Sequence, residues 1–356
     1  MNRTIKKEMD NAVEDSVFSA GELLVGIDGK IAFHHYAGKS REDTHFDIAS
    51  LTKPICTATL AAILISKGVL KLSDTVYNWL AGARSPHHKE MTVEMLLNHT
   101  SGLPAWEPYY QDLPLSYAGT PSAKRYILDS CYNEPLINKP STKTVYSDLG
   151  YIILGEIVEQ AGANMLDELF KNFIADPLKL KDTFFIPVSQ NLQRTTKRRR
   201  FAPTEDCPWR GHIMKGEVDD QNAYAMGGIA GHAGLFSTAI DLNKFIAQLV
   251  KTLRYDESWI AHDVVKTLFD FKKKYKGEKY LGGWNIPSAH NSSSGGFFSK
   301  KSIGHLAFSG CSIWIDLEKR FWVILLTNRI HPSVTNQKIK QFRPHIHNLI
   351  FRELIE

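Results

Sequence analysis

Phe46-Asp47-Ile48-Ala49-Ser50-Leu51-Thr52-Lys53-Pro54 decides how this chain reads. It holds a Ser-x-x-Lys pair and runs into the apolar stretch Ile55 to Ile65. Helical residues three apart share a face, so a helix opened by Ser50 sets Lys53 one turn on, beside the hydroxyl. A serine hydroxyl is a poor nucleophile until a neighbour takes its proton. An amine can do so where burial and neighbouring charge favour its neutral form. The helix N-terminus adds partial positive charge where an oxyanion would form. Pro54 is tolerated in a first helical turn and poorly in a helix interior, so the helix must begin close to Ser50. Taken alone, the pair is a weak signal and reads first as an N-capping serine with a surface lysine.

Composition narrows the function classes. The chain has 356 residues, 43% hydrophobic and 23% charged, which is enough for one large domain or two lobes. A net charge of +5 is too diffuse to argue for nucleic acid. The sharpest basic cluster, Lys197-Arg198-Arg199-Arg200 beside Lys181 and Arg194, reads as a solvated loop, with an anionic partner as the alternative. Cys56, Cys131, Cys207 and Cys311 show no Cys-x-x-Cys spacing, so reduced thiols and no zinc are expected. Ile55 to Ile65 is too short to span a bilayer and reads as a core helix. No secretory signal is visible at the N-terminus, which together with the thiols points to the cytoplasm.

The surrounding elements follow. Residues 1 to 16 read as a polar helical lead-in. Leu23 to Ile27, then Asp28-Gly29, then Ile31 to Tyr36 read as a hairpin. Helices are expected at 121–133, 149–174, 241–253 and 335–355, and a long polar loop at 185–222 on the surface or over a site. The run Met226 to Thr238 is Gly-rich but lacks a phosphate loop's preceding strand and Lys-Ser/Thr ending, so it reads as a tight backbone crossing. Gly282 to Ile286, Ile303 to Asp316 and Phe321 to Asn328 read as strands, the last nearly all apolar and therefore central. Strands at both ends with helices between predict an α+β fold. One antiparallel sheet is built from both termini (17–75 and 276–356), a mostly helical lobe (76–275) is inserted, and a cleft lies between the lobes.

Two further stretches join Ser50 and Lys53. Tyr146-Ser147-Asp148 offers a phenol that could shuttle a proton and a carboxylate that could hold an ammonium. A phenol near an ammonium is expected to have its pKa lowered. Gly304-His305-Leu306-Ala307-Phe308 offers an imidazole and an edge-strand backbone.

In order and spacing these motifs resemble the serine β-lactamase and penicillin-binding protein superfamily, most closely the class C β-lactamases with their DD-peptidase and esterase relatives. Met95-Leu96-Leu97-Asn98-His99-Thr100-Ser101-Gly102-Leu103 resembles that group's "LLxHTSGL" segment, and Tyr146 to Tyr151 its "YSNxGY". Gly231 to Thr238 resembles the lead into its "GxxSTxxDLxRF" helix. The resemblance covers roughly residues 20 to 350 and implies a cofactor-free enzyme. Ser50 would be the acylated nucleophile, and Lys53 and Tyr146 the proton-transfer pair. The N–H groups of Ser50 and Phe308 would form the oxyanion hole, and His305 stands where the family has Lys or His. The substrate is expected to be a small molecule or peptide. Since most of the family works outside the inner membrane, a trimmed N-terminus would imply the periplasm.

Three departures shape the expectation. Asp148 replaces the second motif's Asn and favours the ammonium form of Lys53. Leu306 and Ala307 replace Thr and Gly in the third motif. Leu cannot bind a substrate carboxylate, and Ala adds a methyl where the substrate backbone approaches. An ester or modified peptide is therefore expected ahead of β-lactams. A catalytically silent scaffold of the same fold is the alternative. His99, His232 and His331 are expected to be structural.

Overall fold

The computed structural model describes residues 3–188, 199–254, 259–272 and 279–356. Thirteen strands occur among them: β1 (Ala20–Ile27), β2 (Lys30–Gly38), β3 (Thr44–Asp47), β4 (Phe184–Phe185), β5 (Arg200–Phe201), β6 (Asp206–Cys207), β7 (His212–Ile213), β8 (Leu235–Ser237), β9 (Tyr280–Leu281), β10 (Trp284–Asn285), β11 (Ser302–Leu306), β12 (Ser312–Asp316) and β13 (Phe321–Thr327). Seven form one antiparallel sheet in the order β2-β1-β13-β12-β11-β10-β9, so both chain ends meet where β1 pairs with β13.

Period-two alternation explains why β13 is buried along its whole length. Leu23, Val25, Val323 and Leu325 face a core closed by Ile5 and Met9 of the helix Arg3–Glu14 and by Ile346 and Ile350 of the helix Ile339–Leu354. Leu24, Ile324 and Leu326 face the opposite core, with Leu242 and Phe245 of the helix Ala239–Arg254. Each such side chain contributes about 1.5–3 kcal/mol on full burial. Glu22, buried on β1, accepts from the Ala239 N–H at 3.2 Å and ties that helix's first turn to the sheet. The fold is thus the mixed α/β one predicted, with an antiparallel sheet drawn from both termini.

A second sheet, ordered β4-β8-β3-β5, lies where the chain enters the helical stretch Ala49–Ser66. That stretch is long and apolar enough to cross a membrane by length and composition, but 83% of it is buried inside the protein, as expected of a core helix. All four cysteines are free and buried.

Several local expectations are corrected. Ile303 to Asp316 is not one strand but the hairpin β11–β12. Gly310, at φ +107°, lets the chain turn back, and Ala307 and Cys311 close the turn with a 2.8 Å bond. Gly282 and Gly283, both at positive φ, form the turn between β9 and β10 rather than strand. The helix expected over 149–174 is broken. Asp148–Gly162 ends at Ala163 in the left-handed conformation, and a new helix begins at Leu166. The expected loop at 185–222 carries β5, β6 and β7, and it buries Phe201, Cys207, Met214 and Val218.

Candidate active site

β3 leads directly into Ser50, and the turn between them is braced. Ala49 sits at φ +43°, a left-handed conformation uncommon for a residue with a Cβ. The buried Asp47 carboxylate holds this turn from below. Its Oδ1 accepts from the Ala49 N–H at 2.7 Å, and its Oδ2 accepts from the Asp219 N–H at 2.7 Å. A 3₁₀ turn (Ala49–Leu51) then passes into a wide π turn (Lys53–Ala58) and an α-helix (Thr59–Ser66). Such widened turns are frequent at functional sites.

Lys53 is fully buried, and its Nζ makes two hydrogen bonds and one ion pair. Nζ lies 2.9 Å from Ser50 Oγ, 2.9 Å from the His232 carbonyl oxygen and 2.7 Å from Asp148 Oδ1. The Gly-rich run that leads into β8 supplies the second of these. β8 pairs with β3 and so brings that run beside the nucleophile turn. Gly231 makes the expected tight crossing, since a Cβ there would stand 2.2 Å from the Tyr151 carbonyl oxygen.

Tyr146 stands over Lys53, with its ring centroid 5.0 Å from Nζ. Its phenol does not follow the expectation of a lowered pKa. Burial raises it well above the ordinary value and Asp148 and Asp220 add to this, while the hydrogen bond with Ser50 opposes. The group is therefore a neutral phenol at neutral pH. His99 stacks 4.6 Å from Tyr146 and its Nδ1 accepts from the Ser147 N–H at 3.0 Å, so it positions the tyrosine's segment. Burial, then Lys53 and His305, keep this imidazole well below its ordinary pKa and uncharged.

His305 is buried on β11, with its ring 5.9 Å from Tyr146. Burial and then Lys53 lower its pKa to about 3. Its Nδ1 donates to the Leu306 carbonyl at 2.8 Å, which leaves Nε2 as a bare acceptor with no hydrogen-bond partner. β11 is not the sheet's edge, as β10 and β9 lie outside it; its pairing with β10 runs through Gly304 and Asn285. Phe308 occupies the β11–β12 turn, 53% exposed, and its carbonyl accepts from Arg329 Nε at 2.9 Å.

These residues surround one cavity of about 710 Å³, lined by Ser50, Tyr146, Asp148 and residues 305 to 308. Glu205, Asp219, Asp220 and the aromatic residues Trp106 and Tyr110 also line it. Burial works against ionisation of Asp220, but His232, the Ala223 N–H and Lys53 outweigh it and hold the carboxyl near 2. Burial raises Asp47 to about 6, against the two N–H groups it accepts from. Burial, then Asp47 and Glu205, raise Asp219 to about 8.

All six residues singled out from the sequence (Ser50, Lys53, Tyr146, Asp148, His305 and Phe308) therefore come together. Sequence reasoning missed Asp47, the acidic wall and the His232 carbonyl. A backbone acceptor leaves no side-chain signature, and the reading of 185–222 as a loop on the surface or over a site singled out none of Glu205, Asp219 and Asp220. His331 lies apart, its Nδ1 donating to the Thr204 carbonyl at 2.9 Å. Of the basic cluster, Arg199 packs on Phe184 beside Asp182, and Arg200 pairs with Asp43 at 3.1 Å. Lys197, Arg198 and Arg194 lie outside the described residues.

The model of the Beta-lactamase family matches residues 1–344, and the chain belongs to that family of serine hydrolases. A protein of Salmonella paratyphi A named "Putative D-alanyl-D-alanine carboxypeptidase" is 28% identical over 318 residues, spanning 85% of this chain and 73% of the relative. Among solved structures, the octameric penicillin-binding protein homologue from Pyrococcus abyssi superposes with a TM-score of 0.75 at 20% identity, covering 98% of this chain and 76% of that one. EstCE1, a hydrolase with promiscuous acyltransferase activity, gives a TM-score of 0.70 at 17% identity, over 96% and 97% of the two chains.

Proposed function

We propose that the protein hydrolyses an ester or amide through an acyl-enzyme on Ser50. The observation that carries this reading is the contact of Lys53 Nζ with Ser50 Oγ on one side and Asp148 on the other, at 2.9 and 2.7 Å. Lys53 becomes a base by passing a proton to Asp148, 2.7 Å away. The neutral amine then takes the Ser50 proton as Oγ bonds to the substrate carbonyl carbon. Tyr146 gives its phenolic proton to the leaving group and regains one from Lys53, after which Asp148 returns its proton to the amine. Water repeats the sequence to release the acid. The N–H groups of Ser50 and Phe308 would hold the oxyanion, and each such donor is typically worth ~10²–10³ in rate. His305 and Asp148 would position substrate and lysine.

An esterase-like or D-amino-acid peptide substrate fits better than a β-lactam. Leu306 and Ala307 line the cavity where the family binds a carboxylate. A silent scaffold would have no need of a buried lysine hydrogen-bonded to a cavity-lining serine. In this reading 17–75 with 276–356 form the sheet lobe, 76–275 forms the mostly helical lobe, and the cavity lies between them. A peptidoglycan peptide would place the reaction outside the inner membrane, and a small ester in the cytoplasm. The test is a pre-steady-state burst with 4-nitrophenyl butyrate. One equivalent of 4-nitrophenol before the steady state, absent in Ser50→Ala, supports the acyl-enzyme; turnover that Ser50→Ala leaves intact contradicts it.

A further inference from the structure

The β11–β12 turn carries the Phe308 N–H that would hold the oxyanion, and its carbonyls are gathered by two arginines. Arg343, in the helix Ile339–Leu354, donates from Nη2 to the Ala307, Gly310 and Cys311 carbonyls at 3.3, 2.7 and 3.2 Å. Arg329, which follows β13, donates from Nε to the Phe308 carbonyl at 2.9 Å and from its backbone N–H to the Ser309 carbonyl at 3.0 Å. Every carbonyl from Ala307 to Cys311 thus accepts from one arginine or the other. A trans peptide sets its C=O and its N–H on opposite sides, and the Ala307–Phe308 peptide is trans. With the Ala307 carbonyl drawn to Arg343, the Phe308 N–H is turned away from it. That N–H donates to no backbone carbonyl among the described residues, while Ala307 and Phe308 line the cavity.

A second observation concerns charge. Arg329 and Arg343 are both buried, and neither is in an ion pair among the described residues. Arg343 Nε is buried with no partner. Burial lowers the Arg343 pKa to about 10, and the like charge of Arg329 adds to this, so the guanidinium stays charged at neutral pH. A buried cation without a carboxylate is costly. Negative charge developing on the far side of the Ala307–Phe308 peptide would offset that cost. Hydrogen bonds in series also polarise one another, so donation to the Ala307 carbonyl makes the Phe308 N–H a better donor.

We propose that Arg343 and Arg329 are positioning residues for the oxyanion: they aim the Phe308 N–H into the cavity and set positive charge behind it. The inference rests on the acyl-enzyme reading above and adds what orients one of its two oxyanion donors. Arg343 has the larger part, because it holds the carbonyl of the same peptide that carries the donor.

The test measures Arg343→Met and Arg343→Lys with 4-nitrophenyl butyrate and with n-butylboronic acid. On the boronic acid, Ser50 Oγ bonds to boron, its proton passes to the Lys53 amine, and the tetrahedral boron takes the negative charge. Its Ki does not depend on how much of the protein is folded. In Arg343→Met, kcat per equivalent of burst is expected to fall by about 10-fold or more with little change in KM, and the boronate Ki to rise by a similar factor. Arg343→Lys, which keeps the charge, is expected to lie between that variant and the wild type. Should Arg343→Met not fold, Arg343→Lys and Arg329→Lys carry the same comparison, each with a raised Ki. A merely structural role would lower Tm and burst amplitude alone. A boronate Ki within about twofold of wild type in the folded variants overturns the inference, whatever the fall in kcat, and leaves the hydrolase standing. Wild-type protein with neither a burst nor boronate inhibition overturns the hydrolase reading and this inference with it.

Discussion

Asp148 Oδ1 lies 2.7 Å from the fully buried Lys53 Nζ, so the family's second-motif Asn is replaced by a counter-ion for the motif-one lysine. Removing one partner of a buried pair leaves an uncompensated charge, at a cost of about 3–5 kcal/mol. The partial exposure of Asp148 lowers that figure. Asp148→Ala is expected to destabilise the fold markedly, and adding Lys53→Met is expected to recover a large part of the loss. Denaturant unfolding of the two single variants and the double variant measures the coupling. Strictly additive losses would show that the pair is not an ion pair.

Tyr146 is the proton carrier to the leaving group in this account. Tyr146→Phe keeps the ring packed on His99 and Tyr280 while removing the hydroxyl. The expected result is a kcat lower by about 10²–10⁴ with a small change in KM. Steady-state kinetics on a 4-nitrophenyl ester checks it, and a variant within twofold of wild type (about 0.4 kcal/mol) would remove Tyr146 from the mechanism.

How much of this was legible beforehand differs between the residues. Ser50, Lys53 and Tyr146 announce themselves because their side-chain chemistry and spacing are the signal. The all-apolar run of β13 announces its central place for the same reason: composition alone reports burial on both faces. The β11–β12 turn was missed because Ala307-Phe308-Ser309 carries no Pro or Asn, and a single Gly310 does the turning. Asp47 was missed because its role is to hold two N–H groups, one of them 172 residues away in sequence. Such long-range pairing exists only after folding. The pKa of Tyr146 was misjudged in sign because an ammonium's pull was counted and the loss of water was not.

Asp219 gives stability a pH dependence whose sign can be stated. Its carboxyl titrates at about 8 in the fold and near 3.9 in an unfolded chain, so the native state holds a proton that the unfolded state releases. The associated stability is complete below about pH 4 and is lost as pH rises through about 8. Asp219→Asn keeps a neutral group there. Between about pH 5 and about pH 9 the Tm of the wild type is expected to fall more than that of the variant. Parallel curves would contradict the assignment.

Gly231 allows the crossing that aims the His232 carbonyl at Lys53. In Gly231→Ala the new methyl would meet the Tyr151 carbonyl oxygen at 2.2 Å and the Gly155 Cα at 2.8 Å, both backbone atoms. Overpacking of this kind costs about 1–3 kcal/mol. Thermal unfolding is expected to report that loss, and kcat/KM is expected to drop further than the folded fraction does. Unchanged activity in folded variant would mean the His232 acceptor is dispensable.

The most direct test of the central claim is the intact mass of the protein after exposure to a fluorophosphonate probe, with Ser50→Ala as the control. The account predicts a single adduct on the wild type, none on Ser50→Ala, and far slower labelling by a penicillin. Folded wild-type protein that takes no adduct, or an adduct that survives Ser50→Ala, would contradict Ser50 as the nucleophile.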